Sequence, residues 1–280
     1  MSNVGFLFGT IGPQGPTVET LIANPGGGPS PSAMQQVFVD KGGNDATGDG
    51  SQAKPFLTIQ RALTSITDAT TAKRYAVIVG PGTYADPFNV KPWVAIEGSN
   101  SGSVFAGVTE INAPADSIGF DPSFATSGYS VTWFSYLTWD THQTLDYTTI
   151  ANQQIQGTFL ECDVNAGFTI KGAGTGGVDN WTFDDCTIYG GLIAQGVQFL
   201  FTIGGTQFLG GTVTVQAAPS ATAIQSTTWL AQNCAIGSAS NPTNVHALWA
   251  APTPVGFNTK LDWIGVACTG QVNLDGAGVV

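Results

Sequence analysis

Four short segments of the chain resemble one another, and the distances between them restrict the folds that the chain can adopt. The segments span residues 159–167, 183–191, 203–211 and 230–238 and are centred on Cys162, Cys186, Thr206 and Cys234. Successive centres lie 24, 20 and 28 residues apart, and a weaker copy surrounds Cys268. Irregular repeats of this length are typical of a β-helix, in which similar coils stack and loops of variable length absorb the insertions.

Short β-prone runs alternate with Gly, Asn, Asp and Pro turns from about residue 75 onward. The predicted strands are 76–79, 93–96, 104–111, 131–137, 158–164, 181–188, 197–203, 212–215 and 261–266. Such spacing fits a sandwich, a barrel or a β-helix, and the repeats favour the β-helix. At about 20 to 25 residues per coil, this part of the chain has room for about eight to ten coils.

One helix is predicted before the strands begin. Ile59, Ala62, Leu63 and Ile66 follow the i, i+3, i+4, i+7 pattern, which gives a helix near 58–67 one apolar face. A stack of strands exposes its core at its first coil, so a helix of this kind is expected to cap it. We therefore expect Ile59, Leu63 and Ile66 to be buried.

The charge composition excludes several classes of partner. Charged residues make up 10% of the chain, against about a quarter in ordinary domains, and the net charge is −11. A protein that binds nucleic acid or an anionic membrane needs a basic surface, so neither partner is expected. The sequence predicts no membrane span, no signal peptide, no metal and no cofactor.

The first 35 residues are predicted to form a separate segment. Gly-Pro steps and a Gly/Pro/Ser run bracket one apolar patch, in which Val18, Leu21 and Ile22 are the apolar side chains of note. This is too little apolar surface for a core, so the segment should be extended or docked on a partner. The predicted domains are an N-terminal anchor, 1–35, and a β-helix, 36–280.

The cysteines allow three interpretations. None belongs to a Cys-x-x-Cys pair, and the repeats place each at a similar point of a different coil. A ladder of small buried side chains is the favoured interpretation, with disulfides and a metal site as alternatives.

Acidic residues flank two of these cysteines. Glu161, Asp163, Asp184 and Asp185 are predicted to point outward on one face, because the cysteines between them point inward. Paired carboxylates are the minimum equipment of a glycoside hydrolase, so Glu161, Asp184 and Asp185 are the catalytic candidates if the protein is an enzyme. The alternative is that they are solvated strand residues.

Two further clusters invite a binding role. The aromatic run 133–139 contains Trp133 and Trp139, which are candidates for stacking on a glycan, although a subunit interface or a covered loop is the favoured interpretation. The loop 40–49 carries several Asp and Asn residues, but it lacks the spacing of a calcium loop, and turn chemistry accounts for it.

The region 37–84 also resembles a known family. It contains Asp-Gly-Ser at 49–51, Lys-Pro-Phe at 54–56, Thr-Ile-Gln at 58–60 and Val-Gly-Pro-Gly-Thr-Tyr at 79–84. This pattern resembles the pectin-lyase-like superfamily of right-handed parallel β-helices. The resemblance implies an all-β, single-stranded right-handed parallel β-helix with a short N-terminal capping α-helix.

The same resemblance bears on activity. Members that cleave polygalacturonate use Asp pairs with a His and a basic residue, and lyases use an Arg or Lys base with calcium. This chain has only His142 and His246, and it has no arginine after Arg74. Residues 18–27 are in addition similar to a segment that precedes β-helices in virion proteins of tailed phages and large DNA viruses.

These observations lead to three hypotheses about function. The first is a non-enzymatic virion structural protein, a fibre, spike or capsid-associated subunit anchored by its N-terminal segment; the resemblance implies a homotrimer that contacts other virion proteins and attaches to a host. The second is a glycan depolymerase that uses the paired carboxylates. The third is a non-catalytic module that binds a host surface glycan through Trp133 and Trp139.

Overall fold

A computed structural model describes most of the chain from Met34 onward. The described residues are 34–98, 108–126, 129–150, 154–172, 179–196, 198–209, 212–217, 225–232, 235–236, 243–248, 259–266, 269–270 and 272–275. The proposed anchor residues Val18, Leu21 and Ile22 lie outside them, as do Cys234 and Cys268.

The described residues are mostly β-structure with one α-helix, α1 (Ile59–Ser65), and a 3-10 turn at Pro122–Thr126. Strands β1 to β12 are Gln35–Val39, Tyr75–Val79, Gly82–Tyr84, Asn89–Val90, Val94–Gly98, Thr109–Ile111, Gly119–Phe120, Tyr129–Ser135, Thr138–Trp139, Gln143–Asp146, Gln154–Leu160 and Asp163–Val164. Strands β13 to β25 are Phe168–Lys171, Asp179–Asp184, Thr187–Ile188, Leu192–Gly196, Gln198–Gly204, Gln207–Phe208, Thr212–Ala217, Gln225–Gln232, Ala235–Ile236, Thr243–Leu248, Thr259–Val266, Thr269–Gly270 and Val272–Asp275.

The strands form four parallel sheets. A nine-stranded sheet has the order β1-β2-β5-β8-β11-β14-β17-β20-β23, and an eight-stranded sheet runs from β3 through β6, β9, β12, β15, β18 and β21 to β24. A six-stranded sheet has the order β10-β13-β16-β19-β22-β25, and β4 pairs with β7. From β2 onward the chain therefore passes through three sheets in turn. We call each set of three successive strands a repeat, and β2 to β25 form eight of them.

The strand register places similar side chains above one another in the interior. In the nine-stranded sheet one buried line is Val77, Ile96, Phe134, Phe159, Phe183 and Ile203. In the eight-stranded sheet the corresponding line is Tyr84, Ile111, Trp139, Val164, Ile188 and Phe208. All of these side chains belong to one core cluster, so the sheets enclose a common apolar interior.

Aromatic rings stack along this interior. The ring centroids of Phe134 and Phe159 are 4.9 Å apart, as are those of Phe159 and Phe183, and the latter pair is inclined by only 3°. Gly157 lies opposite Trp181, and a Cβ atom at Gly157 would come within 2.0 Å of the indole. The glycine therefore leaves the space that the large ring occupies.

The predicted helix is confirmed, with slightly shorter bounds. Thr58 is its N-cap and accepts a hydrogen bond from the Arg61 N–H, which satisfies a free amide of the first turn. Ile59, Leu63 and Ile66 are all buried, as expected. They join the core cluster that contains the inward side chains of β1 and β2, so α1 covers the first strands of the stack.

The loop before the helix is held by side-chain hydrogen bonds. The Asp45 carboxylate accepts from the Leu57 and Thr58 N–H groups and from the Thr58 hydroxyl. Burial alone would raise the pKa of Asp45, but these hydrogen bonds and the Arg61 charge outweigh it, so the pKa is lowered. Asp40, Asn44 and Asp49 each accept a hydrogen bond from an N–H two residues further on, which confirms turn chemistry for this loop.

Two segments that were predicted as single strands are each interrupted in the structure. Segments 158–164 and 181–188 were each expected to be a single strand, but both break near their middle. Glu161 and Asp185 adopt positive φ angles of 48° and 49°, which turn the chain from one sheet into the next. Within the described residues, no helix is long and apolar enough to cross a membrane.

Because Leu63 is fully buried beneath the first strands, we expect Leu63→Ala to lower the free energy of unfolding by about 2 to 5 kcal/mol. The neighbouring Thr64 is exposed, so Thr64→Ala should change it by less than about 1 kcal/mol. Urea denaturation of both variants measures the difference. Equal effects of the two substitutions would contradict a role of α1 in covering the core.

Candidate functional site

The cysteine-centred repeats mark a corner between the nine-stranded and the eight-stranded sheets. The register aligns Asp163 with Thr187 and Thr187 with Gln207, so Cys162, Cys186 and Thr206 occupy equivalent positions one residue earlier. Each follows a residue with positive φ: Glu161 (48°), Asp185 (49°) and Gly205 (57°). The sequence segments centred on Cys162, Cys186 and Thr206 therefore form the same turn in successive repeats.

The side chain of the central residue at each corner lies within hydrogen-bond distance of two backbone carbonyl oxygens and can donate to either. Sγ of Cys186 is 3.3 Å from the carbonyl O of Asp184, in its own repeat, and 3.4 Å from that of Phe159, in the preceding one. The Thr206 hydroxyl makes the same two contacts at 3.0 and 3.1 Å, to Gly204 and Phe183. Cys and Thr both have small side chains that can donate a hydrogen bond, which explains why either residue occurs at this position.

The cysteine contacts decide between the three interpretations for two of the four thiols. Cys162 and Cys186 are both free and buried, which confirms the buried ladder for them. Burial, reinforced by the neighbouring Cys162, raises the pKa of the Cys186 thiol well above its usual value. The thiol is therefore protonated and able to act as a donor.

The three candidate catalytic carboxylates are brought together at this corner. Glu161 and Asp185 are exposed turn residues, whereas Asp184, the last residue of β14, is half-buried. A Cβ atom at Gly204 would lie 2.6 Å from Oδ1 of Asp184, and one at Gly205 would lie 1.9 Å from Oδ1 of Asp185. The two carboxylates thus lie over a pair of glycines in the next repeat.

The electrostatics of the corner single out Asp184. Burial, and then the charges of Asp185 and Glu161, raise its pKa to about 6. A carboxyl with a pKa near neutrality can deliver a proton, which is the property of a general acid. The described residues contain no group of three or more His, Cys, Asp or Glu side chains arranged to hold a metal ion.

The burial of Trp133 and Trp139 argues against their predicted role in stacking on a glycan. Trp139 is 0% exposed and packs edge-on against Phe134 and Phe168 in the interior. Trp133 lies on the other face of its sheet and is 5% exposed, with the Arg74 guanidinium 5.7 Å from its ring centroid. Neither indole presents a free face to a sugar ring, so this role is withdrawn for both.

The structure also assembles a polar bridge that the sequence did not reveal. Nδ1 of His142 lies 3.1 Å from Oδ1 of Asp116, and Nε2 lies 3.0 Å from Oγ1 of Thr169. The order hydroxyl–imidazole–carboxylate is that of a nucleophilic triad, but Thr169 is only 6% exposed and lies beneath the histidine. The contacts join three successive repeats. No sequence signal pointed to them, because the residues are about 26 positions apart.

A second polar network lies inside the core. The Tyr147 hydroxyl donates to Oδ2 of Asp179 (2.9 Å), the Ile155 N–H donates to Oδ1 (3.0 Å), and the Trp181 indole N–H donates to the Tyr147 oxygen (3.2 Å). Asp179 is 2% exposed. Burial raises its pKa to about 6, although both hydrogen bonds to the carboxylate act in the opposite direction.

Comparison with known proteins gives no relative for this arrangement. The chain matches no protein-family model, and neither the curated proteins nor the solved structures contain a significant match. The role of the corner and of the polar clusters must therefore be argued from their own geometry.

The contacts of Cys186 predict which of two variants, with substituted side chains of nearly equal shape, is the more stable. Cys186→Thr preserves a donor to the carbonyls of Asp184 and Phe159, whereas Cys186→Val removes it. We expect the Val variant to be less stable by about 1 kcal/mol, because the side-chain hydrogen bond to these carbonyls is lost at a buried position. Thermal unfolding compares the two. A Val variant more stable than the Thr variant would show that the position requires only an apolar side chain.

The raised pKa of Asp179 predicts that the free energy of unfolding decreases as the pH rises. Its pKa is about 6 in the folded protein and close to 3.9 when unfolded, so between these values the folded state retains a proton that the unfolded state has released. Unfolding free energy should therefore fall between about pH 4 and pH 6, by at most about 3 kcal/mol from this group. In Asp179→Asn, which does not titrate, the decrease should be smaller by this amount, because Asp184, whose pKa is also raised to about 6, still contributes in the same range. An identical pH profile of the two proteins in urea denaturation would contradict the assignment.

Proposed function

We propose that the protein is a non-enzymatic structural protein of a virion, with the fold of a single-stranded right-handed parallel β-helix. The observation that carries the proposal is the set of eight in-register repeats, of which those described up to Phe208 surround one apolar core. On this proposal each repeat is one coil, within the range expected from the length of the chain. At about 4.8 Å per coil, the stack would extend for roughly 40 Å.

A stack of this kind has the mechanical properties that a fibre or spike requires. Each interior strand is hydrogen-bonded to strands of the repeats on both sides, so the backbone polar groups of the described strands are paired. Helix α1 covers the apolar core at one end, and the loop before it pairs with the outer edge of β1, where the Phe38 and Asp40 N–H groups donate to the carbonyls of Gly50 and Phe56. The load is carried by backbone hydrogen bonds and apolar stacking, and no catalytic group is needed.

The cysteines and the turn carboxylates support the same proposal. The described cysteines donate hydrogen bonds to backbone carbonyls, and Glu161 and Asp185 occupy turn positions with positive φ. Aspartate is among the residues that adopt this conformation most readily. The cysteines and these carboxylates therefore recur because the chain must turn the same corner in successive repeats.

Assembly completes the proposal. Residues 1–35, with Val18, Leu21 and Ile22, would anchor the subunit to other virion proteins, and the subunit would form a homotrimer that contributes to host attachment. The chain carries a net charge of −11 and has few basic residues, which is consistent with protein partners and not with nucleic acid.

The test is to locate the protein and then remove its N-terminal segment. Antibody detection in purified virus particles should find the full chain, and deletion of residues 1–35 should abolish incorporation while the remaining protein stays folded by circular dichroism. A matched triple substitution of Val18, Leu21 and Ile22 to Ser should also reduce incorporation. Absence of the full chain from purified particles would contradict the proposal.

A second candidate function is supported by one observation, the pKa of about 6 at Asp184. A glycan depolymerase could use Asp184 as the acid, with Glu161 or Asp185 as its ionised partner. If the protein shortens a host surface polysaccharide, Asp184→Asn should abolish the release of fragments, and Asp163→Asn, at an exposed site nearby, should not. The structural proposal predicts instead that the unmodified protein releases no fragments.

A further inference from the structure

A cleft near the capped end of the stack is separate from the corner that carries Asp184. It lies between the segment that follows α1 and two loops that contain residues 91–93 and 121–123, and its volume is about 390 Å³. This is within the range of about 300 to 1,000 Å³ that is usual for small-molecule sites, at its lower end. The space is suited to a ligand with about the size of one sugar ring.

The rim of the cleft is rich in hydroxyl groups. Thr67, Thr70, Thr71 and Ser123 line it, and all four are exposed. Hydroxyl groups both donate and accept hydrogen bonds, so they can adapt to a ligand whose own groups do the same.

Lys91 and Asp121, which carry opposite charges, line the same cleft. Nζ of Lys91 donates to the carbonyl O of Ile66 at 2.7 Å and lies 4.0 Å from Oδ2 of Asp121. The side chains are only 17% and 26% exposed. At 4.0 Å the ammonium and the carboxylate are too far apart for a direct hydrogen bond, and one polar atom close to both could interact with each.

A hydroxyl group fits this pair better than an ion does. Its oxygen can accept from the Lys91 ammonium while its hydrogen is donated to Asp121, and a neighbouring hydroxyl can reach the threonines. An anion would be opposed by Asp121 and by the net charge of −11, and a cation would be opposed by Lys91.

The remaining wall is apolar. Ile66, Pro92 and Trp93 contribute to it, but all three are buried, and Ile66 and Trp93 are only 3% and 5% exposed. This wall therefore offers little surface for stacking, and a ligand such as a saccharide, with hydroxyl groups around its ring, would be held mainly by the polar rim.

We propose that this cleft binds a neutral saccharide unit, with one of its hydroxyls held between Lys91 and Asp121 and its other hydroxyls facing the threonine-rich rim. The site lies on the outside of the first repeats and does not include Trp133, Trp139 or the carboxylates at the corner. It therefore does not depend on whether the protein is a virion component or cleaves a glycan.

Binding is measured on the full chain by saturation-transfer NMR and titration. The neutral probes are methyl glucoside, methyl galactoside, methyl mannoside and N-acetylglucosamine, and the charged probes are glucuronate and inorganic phosphate. We expect at least one neutral probe to bind with a Kd on the order of 1 mM, as is usual for a ligand held by a few hydrogen bonds. Glucuronate and phosphate should bind more weakly.

Two substitutions test the assignment of the residues. Asp121→Asn preserves the shape of the side chain and removes its charge, and Lys91→Met retains most of the aliphatic stem. Each should weaken binding about tenfold or more, the loss expected for one charge-assisted hydrogen bond. The matched controls are Asp140→Asn and Lys171→Met, which lie outside the cleft and should leave the Kd unchanged.

The outcomes that would overturn the proposal are distinct. If no neutral probe binds at tens of millimolar, or if glucuronate or phosphate binds more tightly than all of them, the cleft is not a neutral saccharide site. If a neutral probe binds but Asp121→Asn retains the affinity of the unmodified protein, the ligand is held elsewhere. Circular dichroism of each variant separates lost binding from lost folding, and Asp121→Asn remains decisive if Lys91→Met fails to fold.

Discussion

The in-register stacking of parallel strands is the constraint on which the rest of the structure depends. Each interior strand hydrogen-bonds to strands from the preceding and following repeats, so each repeat must turn its corner at the same point. In the middle of the chain this places Phe134, Phe159 and Phe183 in one line, with adjacent ring centroids 4.9 Å apart. A slip of one residue would move a whole line of rings to the outer face.

The same constraint accounts for the unusual residues at the corner. A turn residue with positive φ is followed by a small donor, and the donor bonds to the carbonyl two residues earlier and to a carbonyl of the preceding repeat. This geometry explains two features that resemble chemistry in the sequence, the aligned cysteines and the carboxylates beside them. Asp184 is the exception. It is half-buried between two other carboxylates, and no turn requirement explains its side chain.

The sequence predicted those features that depend on local pattern. The helix that begins at Ile59 has its apolar face in four residues, and the corner repeats recur at spacings that can be read directly along the chain. The break at Glu161 was missed because strand propensity continues through 158–164, whereas the backbone conformation at one residue decides where the strand ends.

The features that depend on contacts between repeats were not predictable in this way. Trp139 was a candidate for stacking on a glycan, but the chain turns at Tyr136, which has a φ angle of 58°, and Trp139 in the next strand is buried. The contacts of His142 with Asp116 and Thr169, and that of Asp179 with Tyr147, join residues 26 to 32 positions apart. Only the register of the stack brings such residues together.

The stacking of the three phenylalanine rings can be measured directly. In protein labelled only at phenylalanine, the NMR cross-relaxation between ring protons should connect Phe134 to Phe159 and Phe159 to Phe183, and the single substitution Phe159→Leu should remove both connections. This pattern requires the parallel register described above. Absence of contacts between Phe159 and the other two rings in the unmodified protein would contradict it, and with it the account of the corner and of the core.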